Sequence, residues 1–201
     1  MNAKDIKDEF DEFAPFYNEV AIDELEYDAY LKIPQEMLQF DHPKMAKVLD
    51  LGCGTGLSSE LFLEQDWSVT GIDLSPKMLK EAKKLSFEKL ILHNLDKYPW
   101  PDLGDFDYII ALGTIEFIAE PLKFLKQCHE LLKPGGILGV TFPLNSYSEA
   151  TIPVKSFSLE EAQNLCLEAD LSVKEICMFT GYRMPEEDIE YLGILVEKTS
   201  E

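Results

Sequence analysis

Apolar and polar positions follow two rhythms in this chain. From residue 46 onward, short and nearly continuous apolar runs are separated by stretches with helical spacing. Residues 46–51 form an apolar run that contains Asp50 and leads into a glycine cluster. Residues 56–65 have helical spacing at Leu57, Leu61 and Glu64, and residues 67–74 are β-rich again. Ser75 and Pro76 then open a helix to about residue 84, with Ser75 as N-cap and Pro76 at the first helical position. Residues 88–93 and 106–112 are further strands, the latter the most apolar of all. A helix over 121–132 carries Leu122, Leu125, Cys128 and Leu132 on one side, and Lys133-Pro134-Gly135-Gly136 stops it. A fifth strand covers 137–142. Ser158 and Glu161 form a capping box for a helix to about residue 169, and residues 171–179 and 189–198 are two last strands.

Strands separated by single helices imply parallel pairing through right-handed crossovers. Apolar runs without alternation suit a sheet covered on both faces. Residues 180–188 are too short and polar for a crossover helix, so the last two strands are expected to pair antiparallel. Ahead of this core, Ile6, Phe10, Phe13 and Tyr17 fall at helical spacing, with Pro15 breaking the helix. More helix is expected between Tyr27 and Phe40, interrupted or restarted at Pro34. These segments need a surface to cover, and the open edge of the sheet is the expected one. The organisation is thus a single domain over 1–201, with a helical lid at 1–45 and an α/β core at 46–201. No repeat or linker divides it.

Composition narrows the function. Hydrophobic residues make up 46% and charged residues 28%, enough to build a buried core. Lys plus Arg is 18 and Asp plus Glu is 38, a net charge of −20, which opposes nucleic acids and anionic membranes as partners. No apolar run is long enough to span a membrane, and the acidic N-terminus has no secretory h-region. Cys53, Cys128, Cys166 and Cys177 lie far apart without a CxxC, which predicts a reducing, cytoplasmic setting, no disulfide framework and no metal site. None of the three histidines sits in a recognisable catalytic motif.

The chemistry lies in four motifs. Asp50-Leu51-Gly52-Cys53-Gly54-Thr55-Gly56 ends a strand and opens a helix, so that glycine backbone and a helix N-terminus can approach a ligand. Its third glycine comes one residue too early for the G-x-G-x-x-G of dinucleotide sites. Gly71-Ile72-Asp73-Leu74-Ser75 places an acid at the end of the second strand. His93-Asn94-Leu95-Asp96 precedes Tyr98-Pro99-Trp100-Pro101. Phe106-Asp107 opens the fourth strand, followed by Gly113-Thr114-Ile115-Glu116-Phe117.

Together these motifs resemble the class I S-adenosylmethionine-dependent methyltransferases. The resemblance is specific over 46–142 and includes Leu132-Lys133-Pro134-Gly135-Gly136 before strand five. Phe10-Asp11 through Tyr17-Asn18 resembles the lid segment of small-molecule members, those of ubiquinone and menaquinone biosynthesis and predicted ones fused to tetratricopeptide repeats, with Asn18 in place of the usual Asp. The resemblance implies a Rossmann-like, seven-stranded, mostly parallel sheet with an antiparallel last strand, helices on both faces and an N-terminal helical lid. It implies S-adenosyl-L-methionine as cofactor and in-line methyl transfer to a small-molecule acceptor by a cytoplasmic monomer or homodimer. A non-catalytic cofactor-binding sensor or partner subunit is the alternative. For the cofactor's methionine end it implies Asp50, Gly52, Cys53, Gly54 and Gly56, with Tyr17 able to touch it from the lid. Asp73 would take the ribose hydroxyls, Leu74 and Met78 would flank the adenine, and Asn94 and Leu95 would bind its edge with Asp96 as a rival. Ala111 and Gly113 would face the methyl group. Many relatives carry His where this chain has Phe117, which leaves Tyr17 and Glu116 as catalytic candidates, Glu116 being alternatively a surface helix acid.

Overall fold

Seven strands form one sheet in the order β3-β2-β1-β4-β5-β7-β6. The structure, a computed structural model, describes residues 2–145, 154–183 and 188–199. The strands are β1 (Lys47–Leu51), β2 (Ser68–Asp73), β3 (Lys89–Leu92), β4 (Phe106–Ala111), β5 (Leu132–Pro143), β6 (Leu171–Tyr182) and β7 (Ile189–Lys198). β1 to β5 pair in parallel, and β7 runs antiparallel to both β5 and β6. This is the seven-stranded, mostly parallel sheet that the alternation of elements predicts.

Helices are α1 (Ala3–Phe13), α2 (Tyr17–Glu19), α3 (Ala29–Met37), α4 (Glu60–Glu64), α5 (Pro76–Ala82), α6 (Pro121–Leu131) and α7 (Leu159–Glu168). No helix among the described residues is long and apolar enough to cross a membrane. Strand alternation sends Leu49, Leu51, Ile109 and Ala111 to one face, where they pack with Phe124, Leu125 and Cys128 of α6 and Ala162 and Cys166 of α7. Val48, Tyr108 and Ile110 turn to the other face and pack with Ile33 and Met37 of α3 and Phe62 of α4. Ser158 and Glu161 cap α7 reciprocally, and the Ser75 hydroxyl accepts from the Met78 N–H to cap α5.

Four local features differ from expectation. α3 runs through Pro34 without a break. Its Ala29, Ile33 and Met37 are fully buried on both sides of the proline, and this packing outweighs the one backbone hydrogen bond that proline removes. α3 also lies on the sheet's face and not at its edge, because Gly139 of β5 and Gly193 of β7 leave a shallow track for Ile33 and Met37. The segment after the glycine turn is a 3-10 turn over Leu57–Ser59 followed by the five-residue α4, not one longer helix. Finally, Lys133-Pro134-Gly135-Gly136 lies within β5, whose pairing with β4 shifts register between Phe106 and Tyr108. Asp107, in that shift, accepts from the Lys133 ammonium at 2.7 Å and the Lys47 N–H at 2.8 Å, and so ties β1, β4 and β5 together at their N-terminal ends.

The α3 track predicts a specific weakness. A Cβ on Gly139 would lie 2.7 Å from Met37 Sδ and 2.8 Å from Ile33 Cγ2, far inside contact distance. Gly139→Val is expected to cost about 1–3 kcal/mol by overpacking. Adding Met37→Ala should return part of that loss, since the two residues share one space. Urea unfolding midpoints of the single and double variants check this; a Gly139→Val protein as stable as the parent would mean that α3 does not press on the sheet.

Candidate active site

Strand order reverses between β1 and β4, and the crevice beyond the C-terminal ends of these strands is where ligands bind in such sheets. The turn after β1 is anchored to β2 by the Gly52 and Cys53 N–H groups, which donate to the Ile72 carbonyl at 2.8 and 3.0 Å. A side chain at Gly52 would strike Thr114, whose hydroxyl is itself held on the Leu51 carbonyl at 2.9 Å. Gly54 is different: a Cβ there would meet only Met78 Sδ at 4.0 Å, although φ is +51°. The chain leaves that space open, on the cavity side of the turn. Gly56 backs onto Phe87 and Leu85 and does not reach the cavity. The five-residue α4 that follows is too short to supply much dipole, so half-buried backbone at Gly52 and Gly54 lines the cavity where the sequence led one to expect a helix N-terminus.

Asp73 closes this arrangement. Its carboxylate accepts from the Gly54 N–H at 2.8 Å on one oxygen and the Ser75 N–H at 2.7 Å on the other, and the Leu74 N–H also acts on it. Burial raises the Asp73 pKa against the opposing pull of the backbone donors. Leu74, Met78 and Leu95 give apolar wall beside it. Asn94 lines the same end, its Oδ1 accepting from the Asp96 N–H at 2.9 Å. Asp96 in turn accepts from the Ala119 N–H at 2.8 Å, which gives the rival acid a structural task as well.

Asp50 is placed elsewhere. It is 1% exposed, and its partner is the Ser59 hydroxyl at 2.7 Å. Strand alternation points it to the α3/α4 face beneath the glycine turn, outside the cavity wall. Cys53 and Ala111 are likewise buried outside that wall. Burial pushes the Asp50 carboxyl up to about 7, with the Asp73 charge adding to it.

The opposite end of the cavity gathers around Gly113. Glu116 is 1% exposed and not a surface acid; it sits in a 3-10 turn over Ile115–Phe117. Its Oε1 accepts from the Tyr191 hydroxyl at 2.7 Å, while Oε2 has no partner among the described residues. Burial pushes its carboxyl up to about 7. The Tyr17 and Tyr182 hydroxyls share a hydrogen bond, and Tyr182 stacks on Tyr27 at 4.8 Å. Sequence reasoning missed Tyr27, Tyr182 and Tyr191. Only the pairing of β6 with β7 and the fold-back of the N-terminus bring these three to Gly113, so no local pattern marks them.

Above the cavity lie Ile6, Phe10, Phe13 and Tyr17, the apolar stripe seen in the sequence. Phe10 meets Phe117 edge-on at 5.6 Å. Asp11 accepts from the Ser75 hydroxyl at 2.6 Å and the Lys77 N–H at 3.2 Å, and Asn18 Oδ1 accepts from the Thr55 hydroxyl at 2.6 Å. The enclosed space is about 430 Å³, within the range of small-molecule sites.

The fold is similar to that of solved S-adenosylmethionine-dependent methyltransferases. Residues 49–140 match the methyltransferase domain family. A ubiquinone biosynthesis O-methyltransferase of Xanthomonas campestris pv. campestris is 38% identical over 98 residues, which are 46% of this chain and 41% of the relative. One from Xanthomonas axonopodis pv. citri is 35% identical over 101 residues, 48% of this chain and 42% of the relative. The chain therefore spans well under half the length of these curated relatives. Among solved structures, the [4+2]-cyclase SpnF superimposes with TM-score 0.78 at 18% identity, covering 100% of this chain and 98% of that one. The 1,6-didemethyltoxoflavin-N1-methyltransferase of Burkholderia thailandensis, solved with S-adenosylhomocysteine and 1,6-didemethyltoxoflavin, superimposes with TM-score 0.73 at 21% identity, covering 98% of this chain and 89% of that one. At such identities the likeness speaks for the fold.

Two predictions arise from the buried acids. Asp73→Ala removes the acceptor of these backbone N–H groups as well as a carboxylate of the cavity wall. It is expected to weaken cofactor binding roughly 30- to 1000-fold, about 2–4 kcal/mol, and to lower stability by about 1–3 kcal/mol. Calorimetry and thermal melting read the two effects separately, and unchanged affinity would move the ribose contact elsewhere. The second prediction concerns pH. A carboxyl raised to about 7 when folded binds its proton more tightly than in the unfolded chain, where the value is about 4. Its stabilising contribution is complete below about pH 4 and is lost as pH rises through about 7. Asp50→Asn removes that titration, so the melting temperature of the variant relative to the parent should climb between about pH 4 and 7; a constant difference would place Asp50 in water.

Proposed function

We propose that the protein transfers a methyl group from S-adenosylmethionine to a small-molecule acceptor. The observation that carries this reading is one cavity lined by the glycine turn, by Asp73 and by Glu116, whose Oε2 has no partner among the described residues. The residues present fit the cofactor: Gly54 faces open space, and the Asp73 carboxylate stands beside it in the cavity wall. Asp73 would hold the ribose hydroxyls, Leu74, Met78, Asn94 and Leu95 the adenine, and the Gly52 and Gly54 backbone the methionine end, with Tyr17 over it. When bound, the cofactor supplies a sulfonium whose methyl carbon is electrophilic without further activation. The chain's task is to align the acceptor and exclude water from it. The stripe at Ile6, Phe10, Phe13 and Tyr17 excludes water, and the bonds of Asp11 to Ser75 and of Asn18 to Thr55 hold the lid down.

Phe117 in place of a histidine favours the non-catalytic reading. The free oxygen of Glu116 weighs against it, since it puts a proton acceptor back at the acceptor end. The curated relatives are named as O-methyltransferases and the toxoflavin neighbour as an N1-methyltransferase, so the acceptor atom is not common to them. The net charge of −20 supports a small neutral or cationic acceptor over a nucleic acid. Four cysteines held as thiols support a reducing, cytoplasmic setting.

Calorimetric titration should show binding of S-adenosylmethionine and its demethylated product, and none of NAD. Tight NAD binding with no response to the sulfonium cofactor overturns the reading. Deleting residues 2–20 should leave a folded protein, because α3 and its buried face remain. Methylated products formed from a metabolite extract, counted by mass spectrometry, should then fall far more than cofactor affinity does. Equal product formation would remove the segment from catalysis.

A further inference from the structure

We infer that the acceptor is a protonated amine, which donates an N–H to Glu116 Oε2 inside a ring of tyrosine side chains. This rests on the methyl-transfer reading and names the class of acceptor.

The first argument is the orphaned oxygen. Glu116 lines the cavity wall and is 1% exposed; its Oε1 takes the Tyr191 hydroxyl, and Oε2 is buried with no partner among the described residues. A buried acceptor without a donor is costly, so this position asks for a ligand that brings one. The second argument is charge. The cavity wall holds the acids Asp73, Asp96 and Glu116, and no Lys or Arg among the described residues. Lys155 is held on the Ile118 and Ala119 carbonyls. An anionic acceptor thus meets no Lys or Arg of the wall. The third argument is the lining. Tyr17, Tyr182 and Tyr191 bound the same end, and Tyr27 stacks behind Tyr182. Aromatic rings around a desolvated site attract cations.

A neutral hydroxyl would satisfy Oε2 without balancing an ionised carboxylate. An ammonium does both at once. The groups that face Glu116 are Tyr191, Tyr182, Tyr27 and Tyr17, all kept neutral by burial, and the Asp50 and Asp73 carboxyls lie across the glycine turn. None competes as a cation. Without ligand, burial keeps the Glu116 carboxyl protonated at mildly acid pH. Binding an ammonium ionises it and sends one proton to solvent. For attack, one N–H proton moves from the ammonium nitrogen to Oε2, which leaves the nitrogen lone pair free and the carboxyl neutral.

The test uses the full chain saturated with S-adenosylhomocysteine and three probes of similar size: benzylamine, 4-methylphenol and benzoate. Benzylamine should bind at least roughly tenfold more tightly than the other two. At about pH 6, titrations in buffers of different ionisation enthalpy should show close to one proton released per benzylamine. Glu116→Gln should lose roughly tenfold or more in benzylamine affinity, release no proton, and keep its affinity for S-adenosylhomocysteine. Tyr191→Phe retains the carboxyl and removes its one donor, so proton release should persist and extend to higher pH. Preference for 4-methylphenol or benzoate, no binding of any probe, or a Glu116→Gln protein that binds benzylamine like the parent each overturn the amine assignment while the cofactor titration stands. A parent protein that binds no S-adenosylhomocysteine takes down the methyl-transfer reading and this inference with it.

Discussion

The carboxylate of Asp73 is the joint on which the site depends. One oxygen holds the Gly54 N–H and so sets the turn after β1, and the other holds the Ser75 N–H and so sets the start of α5. Ser75 then caps α5 by accepting from the Met78 N–H and donates its hydroxyl hydrogen bond to Asp11 of α1. A single acid at the end of β2 therefore connects the glycine turn, a helix start and the covering segment. Charge-assisted bonds to backbone donors are strong enough to offset part of the desolvation of that acid. Asp73 itself lines the cavity.

Around this joint the chain buries acids that a purely structural core would avoid. Asp50 beneath the turn and Glu116 beyond Gly113 are both 1% exposed, and burial holds both carboxyls near 7. Asp50 has Ser59 to satisfy it, whereas Glu116 has only one of its oxygens occupied. The first is a fixed part of the turn, and the second keeps a buried oxygen without a partner among the described residues. Ile6, Phe10, Phe13 and Tyr17 line the cavity from the N-terminal segment, and Tyr182 and Tyr191 line it from β6 and β7.

Much of this was legible in the sequence, and for local reasons. The strand and helix rhythm gave all seven strands, because sheets covered on both faces need unbroken apolar runs. The polar loop before β7 announced the antiparallel end. Gly54, Asp73 and Asn94 line the cavity, and each sits within a few residues of a strand end, where chain direction alone decides the side. The apolar stripe of α1 was legible as a face in search of a surface, though the sequence named the wrong surface for α3, which needed the glycine track of β5 and β7 to lie on.

The sequence by itself determined the period of the elements, the acid and glycine positions at the strand ends, and the net charge that narrows the choice of acceptor. These follow from side-chain chemistry over short separations. The tertiary structure alone decided that Asp50 lies under the turn and not in the cavity, that Glu116 is buried and not a surface acid, and that four tyrosines from the N-terminal segment, β6 and β7 meet beside it. Burial and long-range pairing set those outcomes. A carboxyl's proton affinity and a ring's neighbours depend on what packs over them from far along the chain, and that information is absent from any local pattern.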